Sequence, residues 1–90
     1  MIKVILTHEV KNYADWRPMF DSDEARRSAA GISVNGVYTA VNNPNMVTVD
    51  TTFPNNEVLN GFMNDPEMKN KLAEAGVISE PVVLILNSAN

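Results

Sequence analysis

The chain has 90 residues, 44% apolar and 20% charged, an ordinary globular composition rather than a disordered or collagen-like one. It has no cysteine, so neither a disulfide nor a thiolate-bound zinc or iron–sulfur site can supplement the modest core of so short a chain, and oligomerisation is the remaining cheap source of buried area. Seven basic residues against eleven acidic ones give a net charge of −4, and no basic cluster exceeds Arg26-Arg27, which argues against a nucleic-acid surface.

The opening Ile2 to Val10 is β-branched and partly alternating, with Ile2, Val4, Leu6, His8 and Val10 on one face and Lys3, Ile5, Thr7 and Glu9 on the other. It reads as a strand with two usable faces rather than as a signal peptide. From Asp15 to Ala30 the spacing turns helical, and Trp16, Met19, Phe20, Asp23, Arg27 and Ala30 fall on one stripe. Asp15 is expected as the N-cap, which would put Pro18 at the third helical position, and Gly31 closes the helix.

Two more β-type runs, Ile32 to Val41 and Met46 to Phe53, flank the turn formers Asn42-Asn43-Pro44-Asn45 and predict an antiparallel hairpin. Asn35-Gly36 inside the first run is either a second hairpin turn or, the preferred reading, a bulge. Helical spacing returns in two pieces, Glu57 to Met63 and Pro66 to Ala75, with Asp65 capping the second and Gly76 ending it. The closing run Val82 to Leu86 has no polar alternation and is expected to be buried on both faces. It is also the longest apolar run, far short of the roughly 18 residues of a membrane span, so no membrane partner and a cytoplasmic location are expected.

The order β-α-β-β-α-β is that of the ferredoxin-like α+β fold, with a four-stranded antiparallel sheet and both helices on one face; residues 1–90 read as one such domain. Its other face would leave Ile5, Met46 and one side of the last strand in water. A second copy packed face to face would cover them, so a homodimer is expected.

Several residues can carry chemistry. His8 is the only histidine, which leaves no multi-histidine metal site but makes it the foremost acid–base candidate; the alternative is a structural, hydrogen-bonded imidazole. Arg27 either pairs with Asp23 one turn earlier, worth about 0.3–0.5 kcal/mol if solvated, or reaches a buried acceptor or anionic ligand. Asp50 alternates with the valines of its strand, and on an enclosed face it could orient a substrate or act as a base. Trp16 and Tyr38 could wall an aromatic ligand or simply pack a core. No nucleophile elbow, phosphate loop or dinucleotide fingerprint can be placed, so neither covalent catalysis nor a cofactor is expected.

The combination His8-x-Val10, Tyr13-x-x-Trp16-x-Pro18-x-Phe20-Asp21, Arg27 with Ala29-Ala30-Gly31, Asn43-Pro44, and Glu74-Ala75-Gly76-Val77 before Pro81 resembles the dimeric α/β barrel proteins of the antibiotic-biosynthesis-monooxygenase type, in particular small cyclase-like bacterial members. The resemblance spans nearly the whole chain. It implies a homodimer with a shared barrel and a pocket between sheet and helices in each protomer. The wider group holds cofactor-independent oxygenases of aromatic polyketides, haem-degrading enzymes, lactone isomerases and members without demonstrated activity, so it leaves the reaction open. Three readings follow. One is an enzyme for an aromatic or enolic substrate, an oxygenase, cyclase or isomerase with His8 and Asp50 catalytic and Trp16, Arg27 and Tyr38 binding. The second is a non-catalytic barrel that holds a small hydrophobic molecule, and the third is an interaction module.

Overall fold

The computed structural model describes residues 1–66, 70, 73–74 and 76–87. The elements run β1 (Ile2–Glu9), α1 (Tyr13–Ser22), α2 (Glu24–Ala29), β2 (Ser33–Ala40), β3 (Asn43–Phe53), α3 (Asn56–Met63) and β4 (Val82–Asn87). All strand pairs are antiparallel, in the order β2-β3-β1-β4. This is the expected ferredoxin-like sheet. The expected second helical piece, Pro66 to Ala75, lies largely outside the described residues.

Strand parity divides the sheet into two faces. β1 and β3 pair Ile2 with Phe53, Leu6 with Val49 and His8 with Val47, and these residues share the face that the helices cover. The core there has two parts. Ile2, Val4, Ile32, Phe53 and Leu59 form one, and Val10, Trp16, Val47 and Val49 the other. The opposite, open face carries Ile5 and the Thr7–Thr48 hydroxyl pair at 2.9 Å, with Asp50 beside Lys3.

The first helix departs from expectation at both ends. Asn12, not Asp15, is the N-cap, because its side-chain oxygen accepts the Asp15 backbone N–H; Pro18 therefore lies inside α1 rather than in its first turn. The helix also breaks at Asp23, where α2 begins. α2 ends as expected at Gly31, whose φ of +78° supports both bonds of a Schellman motif, Gly31 N–H to the Ser28 carbonyl and Ile32 N–H to that of Arg27.

Two further expectations are corrected. The hairpin between β2 and β3 turns at Val41-Asn42, since Ala40 pairs with Asn43, and Pro44 falls in an irregular stretch of β3 where a missing N–H is tolerated. The β4 run is not buried on both faces in the single chain: Val83 packs against the core, but Val82, Leu84 and Leu86 lie on the open face that none of the described helices covers, and Ile85 is exposed as well. At Asn35-Gly36 the structure has the bulge, with Asn35 inserted between Val34 and Gly36.

Candidate functional site

On the helix side a cavity of about 230 Å3 opens between the sheet and α1, α2 and α3. Its walls are mostly apolar: Trp16, Met19 and Phe20 come from α1, Phe53 from β3, and Phe62 and Met63 from α3. The sequence builds the α1 wall directly, because residues 16, 19 and 20 fall on one side of a helix. Aromatic contacts fix it further. Trp16 and Phe20 stack with ring centroids 4.8 Å apart, and Tyr13 tilts against Trp16 at 5.9 Å.

Two polar side chains reach into this apolar setting. His8, 3% exposed, stands with its ring edge to Trp16 at 5.7 Å. Neither of its ring nitrogens has a hydrogen-bond partner among the described residues, although both are buried. Burial without a partner disfavours the charged form, so the His8 pKa is pushed below the ordinary value of 6.5 and the imidazole is neutral at pH 7. A neutral imidazole offers one N–H and one bare nitrogen, hence both a donor and an acceptor.

Arg27, 5% exposed, holds the other side of the cavity. Its guanidinium lies 4.0 Å from the Phe20 ring centroid, and its Nη2 donates to the Phe20 carbonyl at 2.9 Å and to the Glu24 carboxylate at 3.2 Å. Phe20 belongs to the last turn of α1, where main-chain carbonyls run out of helical partners. The break at Asp23 thus supplies the acceptor that locks Arg27. Its Nε is buried and has no partner among the described residues.

The five expected site residues do not come together. His8, Trp16 and Arg27 line the helix-side cavity, whereas Asp50 and Tyr38 are on the open face of the sheet. Strand parity separates them: Asp50 is out of phase with Val47 and Val49, and the bulge at Asn35 brings Tyr38 into register with Thr48. Asp50 accepts from Lys3 and Asn35, and Tyr38 is 57% exposed with its ring lying over Gly36. Phe53, Phe62 and Met63 were not singled out in the sequence, since apolar residues at helix and strand spacing read equally as core. Glu24 was missed because Asp23 offered the more obvious carboxylate for Arg27.

No family model matches the sequence, and no curated protein matches it significantly. Solved structures do match in shape over the whole chain. An antibiotic biosynthesis monooxygenase superposes with a TM-score of 0.75, all of both chains covered and 12% identity. The fold is that of the antibiotic biosynthesis monooxygenases. A Caulobacter crescentus protein described as a “putative antibiotic biosynthesis monooxygenase” gives a TM-score of 0.78 at 18% identity, over 99% of this chain and 90% of its own. A conserved protein from Methanosarcina mazei gives 0.74 at 18% identity, over 94% and 89%. At such identities the antibiotic biosynthesis monooxygenase fold is shared as architecture and carries no activity by itself.

Proposed function

We propose that this chain binds a small, mostly apolar ring compound in the helix-side cavity and that His8 is the hydrogen-bonding and acid–base group acting on it. The observation that carries this reading is that His8 lines an apolar, aromatic-walled cavity as a neutral imidazole, with both ring nitrogens buried and without a partner among the described residues. An unmade hydrogen bond of that kind costs stability, and a site for a polar group of a ligand is a reason for keeping it. A neutral His8 can take a proton from an enol or hydroxyl and return it, the class of step shared by oxygenase, cyclase and isomerase chemistry on an enolic substrate.

Size narrows the ligand. An apolar cavity of about 150 Å3 accommodates benzene, so about 230 Å3 scales to roughly nine or ten non-hydrogen atoms, a substituted single ring or a small bicycle. Trp16 is the chain's one tryptophan and forms a wall of the cavity, so its fluorescence reports occupancy. Titration with 1-indanol should give saturable quenching, weakened several-fold in His8→Phe. Affinity unchanged in that variant removes His8 from the site.

The open face supports a second element, a homodimer. Leu84 is 52% exposed, and Val82 and Leu86 lie beside it on the same side of the edge strand, next to Ile5. Covering them with a second copy would also enclose Asp50 and Tyr38, whose proposed role in a substrate site then belongs to the interface between sheets rather than to the His8 cavity. Saturable binding without turnover would favour the non-catalytic reading.

A further inference from the structure

Resting on the reading that the helix-side cavity binds a small, mostly apolar compound, we propose that Met19 and Met63 form a modification site at its entrance, where oxidation by a hydroperoxide to the sulfoxides reversibly weakens ligand binding. The two residues come from different helices, Met19 from α1 and Met63 from α3, yet both line the same cavity. Of the large apolar side chains described along it, these two are the exposed ones: Met19 is 39% exposed and Met63 42%, whereas Trp16, Phe53 and His8 are 2–3% exposed. A lining side chain that is also open to solvent stands where the cavity meets solvent. Hydrogen peroxide, little larger than water, reaches what water reaches, so both thioethers are open to oxidation in the folded chain.

The sulfur attacks one oxygen of the peroxide, and the O–O bond breaks as the S–O bond forms. The departing hydroxide takes the proton of the new S–OH group and leaves as water, so sulfur is oxidised by two electrons and the peroxide reduced by two. The surroundings make the product consequential. A thioether is soft and apolar and packs well on aromatic rings, and Phe20 and Phe62, the sequence neighbours of Met19 and Met63, line the same cavity. A sulfoxide is polar. Turned outward it keeps its hydration but withdraws a methionine from the ligand; turned inward it sets a polar oxygen against apolar walls. Either way an apolar ligand loses contact. The other described methionines carry no such consequence, since Met1 begins the chain, Met46 belongs to β3, and neither lines the cavity.

The test treats the folded chain with graded hydrogen peroxide, maps oxidation at each of the five methionines by peptide mass spectrometry, and follows binding of indane by quenching of Trp16. Met19 and Met63 should take up oxygen ahead of Met46, and affinity for indane should fall roughly threefold or more in step with them. Methionine sulfoxide reductases with a thiol reductant should restore it. The double variant Met19→Leu/Met63→Leu exchanges one apolar side chain for another of similar volume; it should bind indane within about twofold of the parent and keep that affinity after peroxide. Affinity unchanged once both methionines are oxidised overturns the inference, and so does an equal loss in the double variant, which would lay the effect on another residue. Should the double variant not fold, the time course of the parent decides: a loss that follows Met19 and Met63 supports the inference, and one that follows Met1, Met46 or Met68 overturns it. If the untreated chain binds 1-indanol but not indane, the inference fails and the ligand-binding reading stands; if it binds neither, both fail.

Discussion

Replacing His8 with phenylalanine should make the protein more stable while removing the group proposed to bind the ligand. Both imidazole nitrogens are buried without partners among the described residues, and each unmade hydrogen bond of this kind costs about 1–3 kcal/mol. A phenyl ring of nearly the same shape has no such atoms, and its slightly larger volume can project into the adjoining cavity of about 230 Å3. Taking the low end for each nitrogen gives a gain of about 2 kcal/mol at pH 7.5. For a chain of this length each 1 kcal/mol is roughly 4–8 °C in melting temperature. The gain should also depend on pH. Burial lowers the folded-state pKa of His8, so between the unfolded value near 6.5 and that lower value the unfolded chain binds more protons and the parent protein loses stability as pH falls. His8→Phe is exempt, so the gap between the two should widen by up to about 1.4 kcal/mol from pH 7.5 to pH 5.5. Urea unfolding at the two pH values measures it. A variant no more stable than the parent at pH 7.5, or a gap that narrows at pH 5.5, refutes the picture of a neutral, unsatisfied imidazole.

Trp16→Ala removes a buried indole stacked on Phe20 and should cost about 3–5 kcal/mol, a large share of the roughly 5–13 kcal/mol available to a 90-residue chain; thermal unfolding by circular dichroism checks it. Gly31→Ala forces a side chain to φ +78° and sets its Cβ 3.4 Å from Pro54, so a loss of about 1–2 kcal/mol in urea unfolding is expected. Leu84→Asp puts a charge on the open face with no effect on the helix-side core; sedimentation should show the parent as a dimer and the variant shifted to monomer, whereas a monomeric parent would contradict the proposed pairing of sheets.

The parts of this structure that local spacing controls were legible in the sequence. The stripe of Trp16, Met19 and Phe20 became one wall of the cavity because a helix places such positions together whatever surrounds it, whereas Arg27 lies on α2 beyond the break at Asp23. The two phases of β1 were also visible, but which phase met the helices was not, since both held apolar residues. Pairing of His8 with Val47 settles that, and pairing is a property of the whole sheet. The same limit explains β4, where a continuous apolar run reads as a buried strand although Val82, Leu84 and Leu86 fall on the sheet face that none of the described helices covers. Asp50 and Tyr38 were grouped with His8 on chemistry alone, and parity puts the sheet between them. The break at Asp23 had no glycine or proline to announce it, so the capture of Arg27 by the Phe20 carbonyl had no sequence signature.

Because His8 is the only histidine, its two ring nitrogens give a single pair of signals in a long-range 1H–15N spectrum, and those signals report tautomer and hydrogen bonding directly. At pH 7.5 the free protein should show a neutral imidazole, and saturation with 1-indanol should shift at least one ring nitrogen as the hydroxyl takes up the unmade hydrogen bond. A charged imidazole in the free protein, or nitrogen signals unmoved while Trp16 reports an occupied cavity, would contradict a ligand held at His8.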